Sequence, residues 1–167
     1  SMPGALLDLV QCVAPLSVSA PGELVYERFE AEPDVLALAV VDADGRPIGL
    51  MERNAFFLAM AAQYGRALYA RRPVSLLMND APLVVDGDVP VAEFCGQVLA
   101  ERPSELLRGF IVTQGGRYAG VGSALSLLQA TSAASRAHAE ELEAQAESLN
   151  RAKLEAQAAL TAKSQFL

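Results

Sequence analysis

The side chains that usually carry chemistry are few in this chain, and their placement argues against catalysis. His138 is the single histidine, lying among Ala and Glu with no cysteine or nucleophile close by in sequence. A phosphoacceptor role needs a flanking pattern that Ser135-Arg136-Ala137-His138-Ala139-Glu140 lacks, so His138 reads as an ordinary helix residue. No Ser-His-Asp set can be assembled, and no general acid–base pair can be localised. Cys12 and Cys95 stand in apolar contexts without a basic neighbour to lower their pKa, which predicts core thiols. Asp86-Gly87-Asp88 offers two carboxylates, but calcium and magnesium need further oxygen ligands at set spacing, and none follow. A turn is expected there, with Asp88 capping the next helix. Gly115-Gly116 and Gly120-Val121-Gly122 fall in a hairpin rather than between a parallel strand and its helix, which excludes a dinucleotide loop. Arg71-Arg72 reads as solvated. Neither a catalytic nor a metal site is expected.

The elements around these residues divide the chain in two. Residues 1–130 hold all nine prolines and all twelve glycines; residues 131–167 hold none and contain both lysines, Lys153 and Lys163. The second stretch is built from Ala, Glu, Gln, Leu, Lys, Arg and Ser, strong helix formers without breakers. A helix beginning near Ser123 would run about 45 residues, or roughly 65 Å. In the first stretch, Leu38–Leu50 aligns without gaps on Gly109–Val121. Each copy is an apolar strand, a turn at Asp44-Gly45 or Gly115-Gly116, and a second strand containing a glycine. Such turns supply the positive φ of two-residue hairpins. Helices are predicted before each hairpin, over 21–31 and 89–101, and after it, over 53–69 and from 123. In the second copy Val91, Phe94, Cys95, Val98 and Leu99 share one helical face. Short extended segments, 16–19 and 83–85, open the copies. The fold class is therefore α+β: two β-α-β-β-α repeats and a long C-terminal helix.

Composition sets outer limits. The chain has 167 residues, 52% apolar and 20% charged, a profile of one folded domain with an appendage. A net charge of −7 disfavours a wholly basic nucleic-acid surface. The longest apolar run, Ala55–Ala62, is far short of the roughly 18–20 residues that cross a bilayer. Met2-Pro3-Gly4 has no basic n-region, so no secretory signal is expected. Two cysteines suit a reduced, cytoplasmic setting better than a disulfide scaffold.

The repeat resembles a tandem pair of CBS domains over about residues 15–130. The run Arg72-Pro73-Val74-Ser75-Leu76-Leu77-Met78, then Pro82–Asp86 and Val89–Phe94, is similar to a CBS opening. Gly49–Phe57 is similar to a divergent CBS-like branch of bacterial signalling proteins, often found ahead of cyclic-di-GMP enzymes. The implied domains are an N-terminal segment 1–15, repeats at 16–70 and 71–130, and a signalling coiled coil at 131–167. The resemblance further implies adenine-nucleotide clefts, with a Thr/Ser-x-x-Asp signature whose aspartate holds the ribose hydroxyls. Those positions are Glu52 and Ala55 in the first copy, Ser123 and Ser126 in the second. Both aspartates are missing, so the two-acceptor partner for a diol is lost and weak nucleotide binding is expected. The implied cleft residues are Asp42, Gly49, Arg53, Gly120 and Ser123; the alternative is a pair that contacts only protein.

At the C-terminus, Ala162-Lys163-Ser164-Gln165-Phe166-Leu167 resembles the opening of the dimerisation and phosphotransfer domain of sensor histidine kinases. The resemblance implies a cytoplasmic sensory module cut just before the phosphoacceptor histidine. This stretch itself carries no cofactor. The parent would use ATP with Mg and act on a response regulator or phosphotransfer protein. The preceding helix shows 4-3 spacing at Leu142, Ala146, Leu149, Ala156, Leu160 and Leu167, with Lys153 and Lys163 intruding. A second register, Leu149, Ala152, Ala156, Ala159 and Phe166, is reconciled with the first by a stutter. A homodimer through a weak, Ala-rich parallel seam is expected. Regulation of a cyclic-di-GMP synthase or phosphodiesterase, or a free-standing metabolite-binding protein, is the alternative.

Overall fold

The computed structural model describes residues 4–165. Ser1–Pro3, and Phe166 and Leu167 of the C-terminal hexapeptide, lie outside the described residues. Among the described residues, 4–129 form one compact unit and 130–165 belong to a second. The first copy runs β1 (Leu16–Ser17), α1 (Gly22–Ala31), β2 (Ala37–Val41), β3 (Pro47–Glu52), α2 (Arg53–Ala61) and α3 (Gly65–Tyr69). The second runs β4 (Val84–Asp86), α4 (Val91–Glu101), α5 (Pro103–Arg108), β5 (Phe110–Gln114), β6 (Arg117–Gly122) and α6 (Ala124–Gln165). Each makes a three-stranded sheet, β1-β2-β3 or β4-β5-β6, with its first strand parallel and its hairpin antiparallel.

The α+β class and the repeat order hold, while several local expectations change; Cys12, expected in the core, is exposed in the N-terminal segment, its thiol donating to the Ala119 carbonyl at 3.4 Å. The single helix expected over 53–69 is two. Gly65 comes so close to α2 that a Cβ there would lie 1.9 Å from the Ala59 carbonyl oxygen, and Tyr64 takes a φ of 64° to allow the turn. A further helix, α5, starts with Pro103 where a missing N–H costs nothing. Asp88 is not the helix cap. Its N–H donates to Asp86 Oδ1 at 2.8 Å in a turn, and Pro90 precedes α4 without a side-chain cap. Leu99 is 61% exposed, because Val91, Phe94 and Val98 already fill the face that α4 turns to the sheet.

The gapless alignment also gives way. Val40 pairs with Gly49, and Val112, not Ile111, pairs with Gly120. The second hairpin closes on Gly115-Gly116, both at positive φ, with Gln114 opposite Arg117. The first is longer, closing Val41 on Pro47, with only Gly45 of its turn at positive φ. That extra residue puts the first strands one position out of step, and one position in a strand reverses which face a side chain points to. The true correspondence is visible in the packing. Leu38 and Val40 lie in one core with Phe29 and Phe56, and Phe110 and Val112 lie in the other with Phe94 and Leu127. Ala37, Ala39, Leu50, Ile111 and Val121 form a third cluster where the two sheets meet. Two alanines in that layer let the sheets approach closely.

The cores interlock. The 3-10 turn Leu6–Asp8 packs with the second repeat, where Leu6 is fully buried, and Gln11 pairs with Val121 in both directions at 3.0 and 3.2 Å. The 3-10 turn Val74–Leu76, which opens the second repeat in sequence, packs Val74 into the first core, and Asn79 pairs with Leu50 at 2.9 Å each way. Tyr118 ties the N-terminal segment down, its hydroxyl donating to the Val13 carbonyl at 2.5 Å. Burial, aided by the neighbouring Cys12 thiol, pushes the phenol up to about 12, against the Val13 bond and the Arg28 charge, which lower it. An unfolded tyrosine ionises near 10. The folded state therefore holds this proton more tightly, and its contribution is intact below about pH 10 and lost as pH rises from there towards 12. Urea midpoints of the native protein should fall across that window, and those of Tyr118→Phe should fall less. Parallel losses in both would show that this phenol does not drive the alkaline transition.

Candidate functional site

Two clefts lie between the repeats, and the corrected register shows them to be copies of one another. The first, about 330 Å³, is lined by Leu50, Met51, Glu52, Ala55 and Asn79, with Arg108 reaching in from the other repeat. The second, about 100 Å³, is lined by Val121, Gly122, Ser123, Ser126 and Gln11, with Leu36 in the place of Arg108. Six positions of one thus match six of the other. Each wall is built by a strand end, the helix that follows it, and the interlocking segment that pairs with that strand. Glu52 and Arg108 also line the second cleft, so both belong to both.

Their electrostatic roles differ. Arg53 lines the second cleft, but its guanidinium turns into the fold. Nε donates to the Val35 carbonyl at 2.7 Å, and Nη2 donates to the Phe29 and Glu32 carbonyls at 2.8 and 2.5 Å. The same group lies 4.9 Å from the Phe29 ring centroid and 5.8 Å from that of Phe57. Ser123 and Ser126 satisfy each other across the start of α6. The Ser123 N–H donates to Ser126 Oγ at 2.7 Å, the Ser126 N–H donates to Ser123 Oγ at 3.3 Å, and the Ser126 hydroxyl donates to the Ser123 carbonyl at 2.8 Å. This reciprocal cap is what an S-x-x-S pair does for a helix N-terminus, in the manner of a capping box. Glu52 precedes α2 without a side-chain cap bond, and neither its carboxylate nor the Arg108 guanidinium has a hydrogen bond or ion pair among the described residues.

Of the five residues that sequence reasoning placed in a cleft, Arg53 and Ser123 line the second one. Asp42 stands at the β2–β3 turn, where Oδ1 accepts the N–H groups of Asp44 and Arg46 at 2.9 and 3.0 Å. Gly49 and Gly120 are positions of close approach. A Cβ at Gly49 would lie 2.2 Å from Met78 Sδ, and one at Gly120 would lie 2.6 Å from Val10 Cγ2. Sequence reasoning passed over Arg108, Asn79 and Gln11. Arg108 is found only through the corrected register, which sets it against Leu36, and the other two are recruited by interlocking segments from outside the repeated hairpin. Among the described residues no cluster of metal-ligating side chains occurs. Cys95 is half-buried in the second core, and burial pushes its thiol up, away from reactivity.

No family model and no curated protein matches this chain. Solved structures do. A CBS-domain protein of Agrobacterium tumefaciens matches with a TM-score of 0.60 at 21% identity, over 78% of this chain and 96% of its own. The CBS-pair protein CBSX2 of Arabidopsis thaliana matches at 0.63 and 18%, over 80% of this chain and 97% of its own. This chain has the fold of a CBS pair. CBSX2 has also been solved in complex with AMP, and that structure matches at 0.58 and 18%, over 77% and 96% of the two chains. These matches leave about a fifth of this chain uncovered. The positions that the sequence resemblance aligns with the Thr/Ser-x-x-Asp signature are Glu52 and Ala55 at one cleft and the mutually capped Ser123 and Ser126 at the other. No helix is long and apolar enough to cross a membrane among the described residues.

Proposed function

We propose that this CBS pair is a non-catalytic sensory module whose cleft occupancy sets the packing of α6 against a second copy of itself. One observation carries the reading. Ser123, just before α6, and Leu125, Ser126 and Gln129 in its first turns line the second cleft, and the same helix runs unbroken for 42 residues to Gln165. A ligand in the cleft touches one end of a lever. Along that lever Leu142, Leu149, Leu154 and Leu160 are all exposed, and only Leu127 of α6 is buried. An isolated helix gains little stability from propensity alone, so a second copy covering those leucines is the economical partner. An Ala-rich seam leaves a small gap between packings, the property a signalling helix needs.

The resemblance of the last six residues supports a histidine kinase as the parent, cytoplasmic, using ATP with Mg and passing phosphate to a response regulator or phosphotransfer protein. A free-standing metabolite-binding protein is the second reading, favoured by the match over nearly the whole of CBSX2. The chain should be dimeric by light scattering at micromolar concentration, and removing residues 135–167 should weaken the dimer; a monomeric full chain overturns the coiled coil. In the parent, one or two residues inserted after Ala156 rotate everything beyond by about 100° each, while seven nearly restore the phase. Autophosphorylation should change severalfold with the short insertions and recover with seven. A flat response would make α6 a passive tether.

A further inference from the structure

We infer that this pair takes one anionic ligand per chain, seated in the first cleft with its acid group on Arg108, and that the two clefts cannot be filled by anions together. The inference rests on the reading of the clefts as the ligand site. Arg108 lines both clefts, and the pseudo-equivalent place in the second is Leu36, so the pair has one such guanidinium where symmetry would allow two. The other cation on the second cleft, Arg53, is bonded to three backbone carbonyls. Asp34 and Glu52 both face the second cleft, whereas Glu52 is the only carboxylate on the first. An anion is therefore drawn to the first cleft, and once there it takes the group that a second anion would need.

Size and donor chemistry narrow the class. The second cleft, at about 100 Å³, falls below the roughly 300–1,000 Å³ of small-molecule sites, and the first, at about 330 Å³, sits at their lower edge. Glu52 is half-buried and, as a carboxylate, can only accept, so a ligand that tolerates it must bring a hydroxyl or ammonium donor within reach of its own acid group. The ligand is a small phosphate ester or carboxylic acid carrying such donors; a purine nucleotide is disfavoured because the positions of its ribose-holding aspartates are Ala55 and Ser126.

Ribose 5-phosphate is a suitable probe, with AMP and inorganic phosphate as comparisons, each titrated calorimetrically into the full chain. The expected result is one site per chain for ribose 5-phosphate, binding tighter than either comparison. Arg108→Gln should weaken it about tenfold or more, Arg108→Lys should recover part of the loss, and Glu52→Gln should weaken it severalfold. Amide shifts on binding should centre on Glu52, Asn79 and Arg108. Two equivalent sites, indifference to Arg108→Gln, AMP as the tightest ligand, or no binding at millimolar probe overturns the inference. Shifts that remain within the clefts in the first three cases keep the sensory reading alive, whereas shifts away from both clefts overturn the two together.

Discussion

Arg53→Ala is expected to lower the unfolding free energy by about 3 kcal/mol. The side chain closes the C-terminal end of α1, where the Phe29 carbonyl faces Pro33, which has no N–H to donate, and the Glu32 carbonyl also accepts the Val35 N–H at 3.1 Å. A guanidinium there also meets the negative end of the helix dipole, and it holds the Val35 carbonyl just before β2. A hydrogen bond to a charged group contributes about 1.5–3 kcal/mol, and three that share one group fall short of additivity. Loss of the stem from its place between Phe29 and Phe57 adds a packing cost. Lysine should rescue little, since one ammonium cannot reproduce a planar fork over three carbonyls. Urea unfolding followed by tyrosine fluorescence reports this directly, because Tyr26, Tyr64, Tyr69 and Tyr118 all lie in the unit of residues 4–129. At about 2–4 °C per kcal/mol for a chain of this size, Tm should fall by roughly 6–12 °C. A loss under about 1 kcal/mol would mean that water replaces the guanidinium without penalty.

The layer between the two sheets should be as sensitive. Ile111→Ala is expected to cost about 2–5 kcal/mol, since Ile111 is fully buried in the five-residue cluster and the facing backbones are held apart by their own hydrogen-bonded sheets. Ala39→Leu in the same cluster should cost about 1–3 kcal/mol by overfilling it. The double variant restores the volume of the layer, so its loss should be smaller than the two single losses added together, with a coupling of about 1 kcal/mol or more. Strict additivity in urea unfolding would place the two side chains in separate environments and refute a shared layer.

How far these arguments could be made without the structure depends on the range of the interaction concerned. The helix from Ser123 needed only local information: helix formers and no breaker over 42 residues. Hairpin turns at Gly45 and Gly115-Gly116 were equally local, because positive φ is a property of single residues. Strand register was not. Aligning the two glycine turns hides one extra residue in the first hairpin, and only the pairing of Val112 with Gly120 and the burial of Ile111 between the sheets reveal it.

The site follows the same rule. Glu52 and Ser123 could be named from their place in a repeat, since each directly precedes a helix. That Arg53 turns inward to three carbonyls, that Ser123 and Ser126 cap one another, and that Arg108 stands in both clefts depend on groups distant in sequence meeting in space. Sequence by itself determined the order of the main helices, strands and glycine turns, and that the order occurs twice, because those choices rest on propensity and periodicity within a few residues; the break at Tyr64-Gly65 and the short helix α5 came only with the structure. Tertiary structure alone decided which cation remains available in the clefts, because a guanidinium with buried carbonyls in reach is held by them, and one without is left to a ligand.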